Sequence, residues 1–222
     1  AVFIAEGDLF WVRLFKDGKS VAHPTAIRLT VTVGNVRDPK INPKYNNLIA
    51  FTATYQARRD VYLMDLRKRK NGANAPAQRL TYFDSEFGVD SVVGWSDDGI
   101  TLLFAAQSNA VSLPDLRLYQ TKILWDVTNP TTSVFEIKPI PLAQATEGVT
   151  NDDCIFFVRY KQASWTARYV GGTAESLWAY CDGQATSIPM TSDYKGTSKN
   201  PGIVHFENQS YLLFLSDRSP LH

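Results

Sequence analysis

The chain has 222 residues, 44% of them hydrophobic and 12% aromatic, with a formal net charge of +1. That composition supports one folded domain with a sizeable core and excludes a disordered chain. The near-zero charge excludes a whole-molecule field for nucleic acid or acidic lipid, and no apolar run nears the roughly 20 residues a membrane-crossing helix needs.

In chain order, short apolar phrases alternate with polar turns. Val2-Phe3-Ile4-Ala5 and Leu9-Phe10-Trp11-Val12 come first. Leu48-Ile49-Ala50-Phe51 is followed by Val61-Tyr62-Leu63-Met64, and Leu102-Leu103-Phe104 by Leu118-Tyr119. Ile155-Phe156-Phe157-Val158 is followed by Leu177-Trp178-Ala179-Tyr180, and Leu212-Leu213-Phe214-Leu215 comes last. Polar turns precede these phrases: Asn42–Asn47, Ser96-Asp97-Asp98-Gly99, Asn151-Asp152-Asp153 and Glu207–Ser210. The windows are rich in Val, Ile, Phe, Tyr and Trp, and none holds a helical period.

The phrases recur roughly every 53 residues, a period that signals a β-propeller with one four-stranded blade per repeat. The predicted fold class is therefore all-β, a β-propeller of four-stranded antiparallel blades. It is incomplete in this chain, with three full blades plus partial ones. As a single propeller segment, 1–222 divides into a partial blade over 1–30, blades over 31–85, 86–140 and 141–195, and a partial blade over 196–222. The first and last phrases are both second strands of a blade, so the two ends do not make one clean blade. The expectation is a part of a larger propeller whose remainder lies in a longer polypeptide, with exposed ends that favour oligomers.

Several motifs have bland readings. Arg67-Lys68-Arg69-Lys70 is expected as a solvated loop between the third and fourth strands of its blade. Ser96-Asp97-Asp98-Gly99 is expected as turn chemistry rather than a cation site. Asn208-Gln209-Ser210 fits a glycosylation pattern on a turn. No nucleophile motif is present, and His23, His205 and His222 are scattered, so no catalytic residue, metal or cofactor is expected.

The only two cysteines, Cys154 and Cys181, make no disulfide framework and lean towards a reducing, cytoplasmic setting. If Phe157 pairs with Trp178 as Phe51 does with Tyr62, Cys154 falls opposite Cys181. Reduced thiols on neighbouring strands are the expected state, with a cross-strand disulfide as the alternative.

The segment Arg159–Ser176 is a connection of about 17 residues, long against hairpin loops of 2–5 residues. It holds Trp165, Arg168, Tyr169, Gly171, Gly172 and Thr173. Its aromatic and arginine side chains offer stacking and hydrogen bonding, so these six residues are the candidate peptide- or partner-binding site.

Tyr169-x-Gly171-Gly172-Thr173-x-x-x-Leu177-Trp178, with Arg79-Leu80-Thr81-Tyr82-Phe83 after Asp60-x-Tyr62, resembles the N-terminal propeller of tricorn-type peptidases. Ser96-Asp97-Asp98-Gly99 and Asn42-Pro43-Lys44 resemble degenerate copies of the repeat in TolB-like propellers. The resemblance implies a cytosolic serine peptidase whose catalytic residues lie in domains beyond the propeller. It implies that this segment binds or gates peptides without catalysing. Family members can hold a peptide carboxylate with an arginine pair after the Arg-Leu-Thr-Tyr-Phe phrase; here that loop reads Asp84-Ser85-Glu86-Phe87 and is acidic. The alternative is a stand-alone TolB-like scaffold for protein–protein interaction. Neither reading involves nucleic acid or membrane.

Overall fold

The structure is a computed structural model and describes residues 1–222 except 32–33, 69–75, 83–87, 108–115, 126–131, 135, 141, 143, 161–170 and 219–222. Among the described residues it is all-β, with a single 3-10 turn at Leu66–Lys68. Strands β1 (Val2–Ala5) and β2 (Asp8–Val12) pair, a small hairpin of β3 (Phe15–Lys16) and β4 (Lys19–Ser20) follows, and β5 (Ala26–Arg28) completes a three-stranded sheet on β2. The second blade runs β6 (Arg37–Ile41), β7 (Leu48–Gln56), β8 (Arg58–Asp65) and β9 (Ala77–Arg79) in spatial order. The third runs β10 (Val89–Trp95), β11 (Thr101–Gln107), β12 (Leu116–Trp125) and β13 (Thr132–Val134), with β14 (Lys138–Pro139) also paired to β12. The fourth runs β15 (Ala145–Asn151), β16 (Cys154–Arg159), β17 (Ser176–Cys181) and β18 (Ile188–Pro189). A two-stranded sheet of β19 (Ser198–Phe206) and β20 (Gln209–Ser216) ends the arc, which does not close.

The continuous apolar runs follow from burial on both faces. Strand residues alternate sides. Ile49, Phe51 and Ala53 of β7 join Leu9 and Leu29 of the first blade. Leu48 and Ala50 of the same strand join Val92, Leu102 and Phe104 of the third. Leu103 and Ala105 of β11 in turn join Phe157 of the fourth. Phe51, Phe104 and Phe157 stand at equivalent positions and are 0%, 0% and 1% exposed. Each contributes about 1.5–3 kcal/mol of transfer free energy. Among the described residues the end hairpin has no such second neighbour: Phe206, Leu213 and Leu215 are 60%, 55% and 59% exposed.

A buried polar latch ties the third strand to the fourth in two blades. In the second blade Val61 N donates to Thr81 Oγ1 at 3.0 Å, and Thr81 Oγ1 donates to Asp60 Oδ1 at 2.7 Å. Arg79 Nη2 lies 2.7 Å from Asp60 Oδ2, and Arg79 Nε donates to Thr81 O. The Nη2 contact is an ion pair without an aligned hydrogen bond, because Asp60 Oδ2 itself accepts none. The first blade repeats the pattern: Leu9 N to Thr30 Oγ1, Thr30 Oγ1 to Asp8 Oδ1, and Arg28 to Asp8 Oδ2. The Arg-Leu-Thr phrases at 28–30 and 79–81 are therefore the outer half of this latch.

The inter-blade turns also interlock. Ser96–Gly99 is a closed turn, with Gly99 N donating to Ser96 O at 2.8 Å and Gly99 at φ +70°. Buried Asn42 of the second blade donates to Gly99 O at 2.7 Å. A Cβ on residue 99 would sit 2.4 Å from Asn42 Oδ1, so glycine is required for both reasons. Asp98 serves as turn chemistry: Ser96 Oγ donates to it, which holds its carboxyl below the usual range.

Two expectations are corrected. Arg67 is not part of a solvated loop. It pairs with buried Asp65 at 2.9 Å and lies over the Trp125 ring at 3.6 Å, joining the second and third blades. Burial raises the Asp65 carboxyl, but the hydrogen bonds from Arg67 and from Trp125 outweigh it and leave it lowered. Arg69 and Lys70 lie outside the described residues. Cys154 does sit opposite Cys181, but the two are disulfide-bonded rather than reduced, with a Cα separation of 4.0 Å. Direct opposition across the pair brings the sulfurs within bonding reach.

Asp60→Ala should lower the unfolding free energy by about 2–3 kcal/mol in a urea titration. That is less than the roughly 3–5 kcal/mol for breaking a fully buried pair, because the Arg79 side chain keeps 20% exposure. A loss below about 0.5 kcal/mol, the range of an ordinary surface change, would show that the latch does not stabilise the blade.

Candidate functional site

A cleft of about 650 Å³ opens at one end of the fourth blade. One wall is the end of β16, where Arg159 and Tyr160 stand. The floor comes from β17 and β18, with Ser176, Leu177, Trp178 and Pro189. The opposite wall is the 191–196 segment, with Thr191, Tyr194 and Lys195. The glycine pair expected to bind also lines it, as Gly171 and Gly172. The turn Gly171–Ala174 is closed by Ala174 N donating to Gly171 O at 3.0 Å, with Thr173 within it. Trp165, Arg168 and Tyr169 lie outside the described residues.

Each wall is held in place. Tyr160 N donates to Gln144 O, and Thr146 Oγ1 donates to Tyr160 O at 2.9 Å. Tyr194 O–H donates to Asp217 O, and Arg218 lies over the Tyr194 ring at 5.0 Å while gripping Asp193 with two hydrogen bonds. Hydrogen bonding from Arg218 holds the Asp193 carboxyl below the usual range. A Cβ at Gly196 would meet the Tyr194 ring at 2.6 Å, so a larger residue there would displace that ring.

The chemistry is cationic and aromatic. The Arg159 guanidinium lies 4.7 Å from the Trp178 ring centre and 5.6 Å from that of Tyr160. Its Nε is buried without a hydrogen-bond partner. Lys195 adds a second cation, and no described lining residue is a carboxylate. Glu175, next to the floor, is turned to Lys199 at 3.5 Å. Neither Arg159 nor Lys195 stood out in the sequence. A basic residue closing the second strand of one blade, at the position that Ala53 holds within β7, was the available signal.

A second, smaller polar hollow of about 270 Å³ lies where the innermost strands meet, lined by Arg37, Asp38, Arg59, Asp90 and Glu147 among others. Every innermost strand of blades two to five carries a register shift near its start: at 37–40, 89–91, 145–147 and 199–202. A bulge re-aims a side chain. Asp38 and Asn200 both take left-handed backbone there, at φ 52°, and each precedes a proline. The Asp-Pro and Asn-Pro pairs were the readable signal for these positions.

The comparisons with known proteins bear on this arrangement. Residues 1–221 match the family of tricorn protease N-terminal beta propeller domains. The chain belongs to this family. Among solved structures, this tricorn-type propeller is similar to the tricorn protease, at 18% identity and a TM-score of 0.62, over 97% of this chain and 20% of that one. It is also similar to a putative TolB from Agrobacterium tumefaciens, at 12% identity and a TM-score of 0.50, over 82% of this chain and 60% of that one. At these identities the likeness to solved structures shows the propeller fold. The tricorn-type propeller thus spans a fifth of the length of the tricorn protease chain and 60% of the TolB chain. No curated protein matches it.

Burial pushes the Asp38 carboxyl above its usual range, with the Thr52 hydroxyl and Arg59 pulling the other way. A raised folded value means that Asp38 favours folding when protonated, and that this contribution is lost as pH rises through the folded value. Asp38→Asn, which keeps an acceptor for Thr52 and tolerates the left-handed backbone, should therefore raise the melting temperature at pH 7. The gain should shrink on acidification towards the unfolded value of 3.8. A pH-independent gain, or a loss at pH 7, would contradict the burial account.

Proposed function

We propose that this propeller segment binds peptides and passes them on as the non-catalytic part of a tricorn-like serine peptidase. The carrying observation is the fourth-blade cleft, cationic and aromatic among its described lining residues, in a chain of this family. Its aromatic walls suit side chains, and its cations suit the acceptor groups that an extended peptide presents. Gly172 has nothing within 4 Å of a built Cβ, so a backbone has room to approach that edge.

Hydrolysis belongs, on this reading, to other parts of a longer polypeptide. The one Ser–His contact among the described residues is His205 Nδ1 to Ser210 Oγ at 3.0 Å, an exposed cross-strand pair on the β19–β20 hairpin. Among the described residues His205 has no further hydrogen bond to orient its ring, which a general base for a serine requires. The family likeness supports a cytoplasmic setting. The Cys154–Cys181 bridge favours a less reducing one, since cytosolic thiols are kept reduced.

Fluorescence anisotropy of short labelled peptides titrated with the chain tests the reading. Saturable binding in roughly the micromolar range, without turnover of the peptide, is expected. Absence of binding up to millimolar chain would overturn it and favour the TolB-like reading, a scaffold for folded partners.

A further inference from the structure

The blade-closing latch of the first two blades is vacant in the fourth, and we propose that the vacancy binds a carboxylate carried by a polypeptide. This deepens the peptide-binding reading and rests on it.

Three positions are equivalent by hydrogen-bond register. Leu29 N, Leu80 N and Met190 N each donate to the backbone carbonyl of the matching third strand, at Leu9, Val61 and Leu177. One residue later, Thr30, Thr81 and Thr191 each accept from the backbone N–H of that same strand residue, the last at 3.1 Å. The latch threonine is therefore retained in the fourth blade. Its partners are not. Ser176 stands where Asp8 and Asp60 stand, and Pro189 where Arg28 and Arg79 stand.

In the first two blades the threonine proton goes to the aspartate carboxylate. Thr191 is 3% exposed, and no described residue accepts its proton. A buried donor left without an acceptor is unfavourable by about 1–3 kcal/mol, and a ligand that accepts from it recovers that loss. Ser176, Pro189 and Thr191 all line the cleft, so the missing carboxylate's position opens into it. A guanidinium is supplied from another strand, since Arg159 lines the same cleft with its Nε buried and unpartnered. Thr–O–H and guanidinium are the pair that hold a carboxylate in the first two blades. A ligand carboxylate would complete the same set in trans, with Trp178, Tyr160 and Tyr194 beside it for the adjoining side chain.

The test uses three labelled peptides of one neutral sequence: with a free C-terminus, with a C-terminal amide, and with a C-terminal amide and one internal glutamate. Anisotropy should show the fully neutral peptide binding at least about tenfold more weakly than one of the carboxylate forms, the scale of a charge-assisted hydrogen bond. Which form recovers affinity identifies a chain end or an acidic side chain as the source. Arg159→Met should erase the difference. Ser176→Asp, which restores the acid in cis, should erase it too and raise the melting temperature. Equal binding of all three peptides would overturn the carboxylate site and leave the peptide reading standing, whereas no binding of any would overturn both. Displacement by inorganic phosphate as effective as by acetate, or an unchanged peptide preference in folded Ser176→Asp, would also overturn it.

Discussion

Two-sided burial of the second strand in the second and third blades is the constraint on which the arc depends. β7 and β11 send alternate side chains into different neighbours, so neither strand can afford a polar face over its length. The same requirement explains why Phe51, Phe104 and Phe157 recur: each fills the gap between successive sheets near the strand centre. β20 carries the same kind of sequence, Tyr211-Leu212-Leu213-Phe214-Leu215, without a second neighbour among the described residues. Its exposed apolar side chains are the mark of a strand built for a blade face.

Stacking fixes the blades against one another but does not hold each outer strand to its sheet. β5, β9 and β18 are only two or three residues long, too short for ladder bonds alone to secure them. The aspartate–threonine–arginine latch supplies the hold in the first two blades by satisfying a backbone N–H and a hydroxyl and by pairing the carboxylate with a guanidinium. Where it is missing, a buried threonine hydroxyl and a guanidinium face an open cleft. On our proposal, the replacement of the aspartate and arginine by Ser176 and Pro189 is what makes that cleft receptive to a ligand carboxylate.

Much of this was legible in the sequence because it is periodic. The apolar phrases, the turn at Ser96–Gly99 and the opposition of Cys154 to Cys181 follow from a repeat length and a period of two. Gly171 and Gly172 were singled out from the length of their connection, and they do line the cleft. The latch was half visible: Arg-Leu-Thr repeats at 28–30 and 79–81, but its aspartate lies some twenty residues upstream and becomes a partner only through strand pairing. Arg159 was not legible, since its proposed role depends on what two other strands fail to supply, at Ser176 and Pro189. Arg67 misled for the opposite reason. A basic run looks solvated until Asp65 and Trp125, from different strands, close around its first member. The bond between the cysteines depends on redox setting as well as geometry, and the register determines only the latter.

A crystal structure of the chain with a bound peptide carrying both a free C-terminus and an internal glutamate tests the central claim most directly. The account places one of its carboxylates within hydrogen-bond distance of the Thr191 hydroxyl and the Arg159 guanidinium, in the position that Asp60 occupies beside Thr81 in the second blade. A peptide seated instead over Arg37, Asp38 and Arg59 at the innermost strands, with Thr191 and Arg159 untouched, would contradict it.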